Sequence, residues 1–309
     1  MNNAQEPDDK PDAILTLVRH VLASRYEDLS LQAVQATKTF ILDSFGVIIA
    51  GSLAPGVPQT LRVLRGWGGT EESTVLVSGG KLPSPSAAMM NSFMLHNQEF
   101  DCVHDRAVIH PFTTALPVAL AIAEAKGGVT GRELLTAVTL GVDISCSIGI
   151  SSRSPMTFFR PGTAGAFGAV AAGGKIAGMD EKTMANAMGI VYSQICGTLQ
   201  PHHEGAMVIS MQTGFNARAA ATAITLADSL ALIILGLTIN AFGFFMAHSL
   251  ASSWVGRYAQ GARGSASALY LVFYYLGASI GGFWLEPFWR WTQWQGVAIG
   301  SWLLLCVTL

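Results

Sequence analysis

The sequence predicts an all-α protein, in which a helical domain is followed by three membrane-spanning helices. Two observations lead to this prediction. Through most of the 309-residue chain, apolar residues recur at helical spacing among scattered charges. Towards the C-terminus, three runs contain no charged residue: Ser229–Gly256, Gly264–Leu285 and Trp291–Leu309. About 20 such residues in a helix are enough to cross the hydrocarbon layer of a membrane.

The overall composition narrows the class of protein. Hydrophobic residues make up 50% of the chain and charged residues 12%, against about 25% charged residues in an ordinary soluble domain. The net charge is -2 and no basic run occurs, so we predict no nucleic-acid partner. The four cysteines form no CxxC pair, which favours free thiols over a disulfide framework or a zinc ribbon.

Local signals place the helices of the first part. The segment "SLQAVQATKTFILDSFGVIIAGS" predicts one helix that ends between Gly46 and Gly51. Thr130 is followed three residues later by Glu133, the pattern of a capping box, and opens another helix. Asp180 opens a third.

Two further segments need separate interpretation. In "PGTAGAFGAVAAGGKIAG" small residues occupy nearly every position, which suits a helix packed closely against its neighbours. Its glycines resemble a phosphate-binding loop, but no strand pattern precedes them, so we do not predict a nucleotide site. Only "ESTVLVSG" reads as a possible strand or piece of a hairpin.

These signals divide the chain into three parts. Residues 1–11 are polar and form a disordered lead-in, residues 12–229 form the helical domain, and residues 230–309 form the membrane segment, with helices at about 231–255, 267–288 and 292–309. The alternative for the last part is a set of buried helices in a large soluble core. The N-terminus lacks the apolar stretch of a signal peptide. We therefore expect a membrane-associated protein whose helical domain lies in the cytoplasm.

One polar stretch stands out in this apolar chain: "LHNQEFDCVHDRAVIHPFTTALP" gathers three histidines and several acidic residues. His104, Asp105 and His110 could supply metal ligands, but their spacing matches no zinc signature, so no metal is predicted. A serine hydrolase is not favoured either, because the chain has no GxSxG motif. The stretch is better explained as an acid–base site or as a polar loop.

Longer stretches carry a resemblance to a known family. "ILDSFGVIIAGS", "STVLVSGGKLPSPSAAMMNSFMLHNQEFD", "HPFTTALPVALAIAEAKGGVTGRELLTAVTLGVDI" and "GFNARAAATAITLADS" occur in the order found in the N-terminal helical domain of the MmgE/PrpD family. The resemblance implies lyase chemistry, as in 2-methylcitrate dehydratase or cis-aconitate decarboxylase, on a small polycarboxylate or hydroxy acid. It also implies no cofactor, and a homodimer formed through the helical domain.

The resemblance also suggests catalytic residues. The family has an acidic "DFDD" element followed by a histidine and a proline, and "EFDCVHDRAVIHP" stands in that place. Asp101 and His110 match the acidic position and the histidine, and Glu99 stands where the family often has aspartate. These three are the predicted catalytic residues. Cys102 and Val103 replace the second aspartate and a threonine of the family pattern.

The predicted substrate-binding residues are Arg160, His203 and Gln212. Arg160 stands where the family often has a histidine, and arginine can hold a carboxylate by two hydrogen bonds. Ile209 stands at the position of a family lysine, and Gln212 near that of a second histidine. His202 and His203 are candidate donors. These departures predict a substrate other than methylcitrate or aconitate.

The C-terminal segment resembles a second family. "FGFFMAHSLASSWVGRYAQGARGSASALYLVFYYLGASIGGFWLEPFW" is similar to the last three helices of a major facilitator superfamily transporter. The MmgE/PrpD family has a second, lid domain at this place. We therefore expect an impaired lyase tethered to a membrane. A transporter fragment and a non-functional fusion product are the alternatives.

Overall fold

The computed structural model describes residues 12–153, 157–227 and 263–292, with isolated positions between 253 and 303. The chain separates into two compact units, Met1–Leu230 and Ala231–Leu309. The first unit is built almost entirely of helices, which confirms the predicted all-α class. The first predicted membrane helix, at about 231–255, lies almost wholly outside the described residues, and so does much of the third, at about 292–309.

The helices of the N-terminal unit follow one another closely along the chain. In chain order they are α1 (Ala13–Ala23), α2 (Leu31–Gly51), α3 (Val57–Trp67), α4 (Ser84–His96), α5 (Phe112–Ala125), α6 (Gly131–Ser151), α7 (Arg160–Ala177), α8 (Glu181–Tyr192), α9 (Gln200–Glu204) and α10 (Val208–Leu226). A short antiparallel hairpin, β1 (Ser73–Thr74) with β2 (Lys81–Leu82), lies between α3 and α4.

Side-chain caps fix the starts of several helices where the sequence predicts them. The Thr130 hydroxyl accepts from the backbone N–H of Glu133, and the Glu133 carboxylate accepts from the N–H of Thr130. Asp180 accepts from the N–H of Thr183 at the start of α8. Each bond satisfies a backbone donor that has no partner inside the helix. The predicted capping box and the predicted start of α8 are therefore confirmed.

The segment predicted as a possible strand contributes only two paired residues to the hairpin. Ser73 and Thr74 pair with β2, after which the chain turns. Val77 within this turn has a φ of 64°, a left-handed conformation that β-branched residues rarely adopt. The strand ends because the chain must reverse within a few residues to reach β2.

The glycines of α7 allow three neighbouring helices to approach it. A Cβ at Gly162 would meet the side chain of Asn216, and one at Gly165 would meet Thr114. A Cβ at Gly168 would collide with the side chain of Ser145. These contacts belong to α10, α5 and α6 respectively, so the small-residue pattern serves helix packing, as predicted.

The C-terminal unit contains one long described helix, α11 (Arg263–Thr292). It corresponds to the second predicted membrane helix but begins before residue 267 and runs on through Pro287 to Thr292. Near its end, the indole N–H of Trp284 donates to the carbonyl of Gly300 at 3.2 Å. The three separate C-terminal spans of the prediction are thus not established.

By length and apolar composition, two of the described helices could cross a membrane, and both belong to the N-terminal unit. They are α2 and α6. Each contributes buried residues to the unit, including Ile48 of α2 and Ile144 of α6. The core helix of a folded domain passes the same test of length and composition, so these two helices identify no membrane segment.

Candidate active site

Three polar side chains meet around the carboxylate of Asp101. The Nδ1 atom of His96 lies 3.1 Å and 3.0 Å from the two carboxylate oxygens. The Nδ1 atom of His110 lies 3.2 Å from Oδ2, and the Thr113 hydroxyl donates to Oδ2 at 2.6 Å. Because the Asp101 side chain is only 1% exposed, these donors replace the water that would otherwise solvate its charge.

Two helix ends and the loop between them bring these residues together. His96 is the last residue of α4, and Thr113 lies in the first turn of α5. The loop turns sharply after His96, where Glu99 has a φ of 52° and donates its N–H to the carbonyl of His96. Asp101 thereby lies near the N-terminus of α5, where the helix dipole favours a carboxylate.

The contacts of His110 define the roles of its two nitrogens. Its Nδ1 lies 3.2 Å from the carboxylate of Asp101 and 3.2 Å from the backbone carbonyl of the same residue. Both partners are acceptors, so Nδ1 carries the proton and donates. Nε2 of the neutral ring is then the basic nitrogen. The side chain is 22% exposed, which leaves it within reach of a ligand.

The two partners shift one another's pKa in opposite directions. Burial by itself would raise the pKa of Asp101, but hydrogen bonds from His110 and His96 outweigh it and hold the pKa well below the ordinary range. Burial by itself would lower the pKa of His110, but the hydrogen bond and the charge of Asp101 raise it above the ordinary value. The pair therefore favours an ionised aspartate beside a histidine that readily accepts a proton.

A cleft of about 380 Å³ adjoins the cluster. Its polar lining residues are His96, Glu99, His110, His202 and His203. The rest of the lining is apolar: Val103, Val108, Phe159, Pro161, Leu199 and Ile209. A cleft with a few convergent polar groups on apolar walls is typical of a small-molecule site.

The structure brings four of the predicted site residues to this cleft or its cluster. Asp101 and His110 form the core of the cluster, while Glu99 and His203 line the cleft beside them. Gln212 lies behind the wall instead, where it is buried and donates to the carbonyl of Thr198 at 3.2 Å. It supports the segment before Leu199 and is not among the residues that line the cleft.

Arg160 is not brought to the cluster. Its guanidinium donates to the carbonyls of Ala107 and Gly149 at 3.3 Å and 3.4 Å, and it lines a separate pocket of about 510 Å³. The predicted carboxylate clamp is thus displaced, because α7 begins at Arg160 and directs its side chain towards the end of α6.

Two residues of the cluster are missing from the predicted site, His96 and Thr113. A signal for His96 exists in the sequence, since it stands five residues before Asp101 within the same polar stretch. Thr113 follows His110 by three residues, close to one helical turn, which places both at the start of α5. Neither spacing shows by itself that both side chains reach one carboxylate.

Cys102 directly follows Asp101 but is a poor candidate for a nucleophile. Burial, with the charges of Asp101 and Asp43, raises the pKa of its thiol to about 12. The thiolate is the reactive form of cysteine, and at such a pKa it is scarcely populated near neutrality.

His96, Asp101 and His110 are also the residues that could hold a metal ion, since one ligand atom from each lies within 4.8 Å of the others. Both histidines, however, direct Nδ1 to the carboxylate. The Nδ1 atom of each histidine is therefore engaged by the carboxylate, and an ion bound through these atoms would have to displace those contacts.

Sequence comparison identifies the class of protein to which this helical unit and its histidine–aspartate cluster belong. The model of the MmgE/PrpD N-terminal domain matches residues 16–249. The chain belongs to the MmgE/PrpD family. The match runs past the predicted end of the helical domain at 229, so it also covers part of the predicted membrane segment.

Individual relatives fall into two groups. Cis-aconitate decarboxylase of Aspergillus terreus is 28% identical over 200 residues, which cover 62% of this chain and 41% of the relative. The inner membrane transport protein YnfM of Escherichia coli is 51% identical over 67 residues, 22% of this chain and 16% of the relative. The MFS-type transporter YybF of Bacillus subtilis is 46% identical over 85 residues, which cover 28% of this chain and 21% of the relative. The chain therefore spans less than half the length of each.

Proposed function

We propose that the N-terminal unit supplies the acid–base half of a lyase site for small polycarboxylates or hydroxy acids. The observation that carries this proposal is the contact of His110 Nδ1 with Asp101 beside a cleft. A base oriented by a buried carboxylate is a recurring arrangement in catalysis. Family membership and the decarboxylase relative support the reaction class.

In this proposal, His110 transfers a proton at a carbon next to a substrate carboxylate. Dehydration removes that proton and expels hydroxide. Decarboxylation breaks a C–C bond, releases carbon dioxide and returns a proton to the carbon. Both reactions need a group that takes up or gives a proton near neutral pH, and a histidine is suited to this role. Asp101 keeps the proton of neutral His110 on Nδ1 and leaves Nε2 for the substrate.

The cleft suggests how a carboxylate substrate would be held. His202 and His203 line it together with residues of the cluster, and Ile209 belongs to its apolar lining at the position of the family lysine. Histidines donate best to carboxylates when protonated. A substrate carboxylate should therefore accept hydrogen bonds from these two rings.

The proposal can be tested with the purified full chain and two probes, cis-aconitate and citrate. Binding is measured by calorimetry and turnover by chromatography of the products, for the wild type and for His110→Gln. We expect carboxylate binding that His110→Gln weakens, and any turnover to be lost in this variant. His20→Asn is the control, because His20 contacts the exposed Asp143 and not the cleft. Binding or turnover unaffected by His110→Gln would refute the proposal.

For the C-terminal unit we propose a membrane segment derived from a transporter-like sequence. Large apolar residues are exposed along α11 at helical spacing: Leu269, Val272, Phe273, Leu276, Ile280 and Phe283. Such a face suits lipid or a neighbouring membrane helix better than water. The transporter relatives support this assignment. Transport itself is the less favoured alternative, because these matches cover at most 28% of the chain.

Fractionation tests this second proposal. The full chain should sediment with membranes, resist extraction by alkaline carbonate and dissolve in detergent. Replacing Phe273 and Ile280 of the exposed face by aspartate should release a share of the protein, whereas the same change at Ile49 and Leu53, in and after α2, should not. Recovery of the wild type in the soluble fraction would contradict a membrane segment.

A further inference from the structure

His96 is a deeply buried member of the cluster. Its side chain is 1% exposed, and its Nδ1 contacts both oxygens of Asp101. Its second nitrogen, Nε2, is buried and has no hydrogen-bond partner among the described residues. The ring of Phe159 lies against it at a centroid distance of 5.6 Å. One nitrogen thus has two acceptors, and the other has none.

This asymmetry determines which nitrogen carries the proton. An ionised carboxylate only accepts hydrogen bonds, so the contact with Asp101 requires a proton on Nδ1. A proton on Nε2 in its place would create a buried N–H without an acceptor and would leave Asp101 without this donor, which is the more costly arrangement. The ring of His110 lies beside that of His96, at a centroid distance of 4.8 Å.

We propose that His96 is a positioning residue that donates from Nδ1, holds the carboxylate of Asp101, and leaves His110 as the histidine of the cluster that exchanges protons. The role as a base rests on the proposed function. The protonation states themselves do not, and they can be measured without turnover.

The surroundings of His110 support this division of roles. The ionisable groups that face it are Asp101, His96 and Glu99, with His202 and His203 lining the same cleft. Asp101 and Glu99 both favour the protonated ring. Asp101 also accepts a hydrogen bond from His96, which weakens the negative potential of the carboxylate at the ring of His110. His96 therefore moderates the basicity of His110 through the shared carboxylate.

Nitrogen NMR of the ¹⁵N-labelled full chain in detergent micelles tests the proposal directly. At about pH 9, where histidine rings are neutral, His96 should show a protonated Nδ1 and a bare Nε2. The variants described below and His110→Gln assign the rings. A neutral His96 that carries its proton on Nε2 would overturn the proposal.

Two substitutions separate positioning from a merely structural role. His96→Asn presents a side-chain N–H near the place of Nδ1–H, whereas His96→Leu removes the donor. In His96→Leu the carboxylate is less neutralised, so the pKa of His110 should rise by roughly half a unit or more. In His96→Asn it should stay near the wild-type value, as it should in the distant control His20→Asn. Equal shifts in the Asn and Leu variants would count against positioning.

The measurements also distinguish this inference from the proposed function. If His96 carries its proton on Nδ1 but His110→Gln leaves carboxylate binding unchanged, the lyase proposal fails and this inference stands. If binding depends on His110 while His96 carries its proton on Nε2, the lyase proposal stands and this inference fails. If His96→Leu does not fold, the tautomer of His96 in the wild type still tests the positioning proposal.

Discussion

His110 contacts Asp101 twice, because its Nδ1 lies 3.2 Å from the carboxylate and 3.2 Å from the backbone carbonyl of the same residue. The second contact ties the ring to the main chain, so the orientation of His110 does not depend on the carboxylate alone. Loss of the Asp101 charge should therefore change the basicity of His110 more than its position.

Asp101→Asn tests the electrostatic part of this relationship. The low pKa of Asp101 contributes stability above its unfolded value of about 3.9, and that stability is lost as the pH falls towards the folded value. The raised pKa of His110 contributes stability below about 6.5, and that stability is lost as the pH rises through the folded value. Asp101→Asn should therefore show its largest loss in the free energy of unfolding, about 3 kcal/mol, between about pH 3.9 and about pH 6.5.

Urea unfolding near pH 5.5 and again near pH 8.5 would measure this difference. The loss should be clearly smaller at the higher pH, and the pKa of His110 should fall in the variant. Asp143→Asn, which breaks the exposed pair with His20, should cost about 0.5 kcal/mol or less. An equal loss for Asp101→Asn at both pH values would argue against a charged pair.

Thr113→Val tests the shortest bond to the carboxylate, in which the hydroxyl lies 2.6 Å from Oδ2 of Asp101. Both residues are buried, so valine leaves the carboxylate one donor short. We expect a loss of about 2 kcal/mol in the free energy of unfolding, since the bond involves a charged acceptor. Thr113→Ser keeps the hydroxyl and should lose clearly less. The bond would have little importance if serine and valine behaved alike.

Gly168→Ala tests the close packing of α7 against α6. The added Cβ would collide with the side chain of Ser145 and the carbonyl of Gly141, which should cost about 1–3 kcal/mol. Gly46→Ala is a matched control in α2, where no atom lies within 4 Å of the added Cβ. There alanine should stabilise by about 1 kcal/mol, because it favours helix more than glycine does. Thermal unfolding should show opposite shifts, and shifts of the same sign would contradict the packing argument.

Val77→Asn tests the strain in the hairpin turn. Val77 is exposed and has a φ of 64°, a conformation that asparagine tolerates better than a β-branched residue. We expect a gain of about 1 kcal/mol in the free energy of unfolding. Val63→Asn, at an exposed position within α3, should change stability little. A destabilised Val77→Asn would show that the turn is not strained.

Ile209→Lys tests how the cleft holds an anion. Ile209 belongs to the apolar lining of the cleft, and a lysine there would offer a charged donor to a carboxylate. Citrate affinity should rise roughly tenfold, equivalent to about 1.4 kcal/mol, as measured by calorimetry. Ile209→Met, which is long and apolar, should not increase it. If Ile209→Lys and Ile209→Met bind citrate with the same affinity, the anion does not bind next to Ile209.

Four helices of the N-terminal unit, α2, α6, α7 and α8, could be predicted from the sequence because their signals are local. Thr130 and Asp180 cap helices by accepting from the backbone N–H three positions on. The glycines of α7 indicate close helix packing whichever helices are its neighbours. Asp101 and His110 could be predicted as catalytic residues because they stand in one short stretch that resembles a family motif. For the C-terminal unit, the sequence predicted that α11 is a helix but did not predict its bounds. An apolar composition does not mark where a helix begins or ends.

By itself, the sequence determined several helices of the N-terminal unit, among them those that begin after Thr130 and Asp180, and the polar stretch that holds Asp101 and His110. Only the tertiary structure decided which residues meet there. The loop after α4 folds back on itself, so His96 and Thr113 reach Asp101, whereas the start of α7 turns Arg160 to a different pocket. Such meetings depend on how helices far apart in the chain pack, and no spacing within a single helix contains that information.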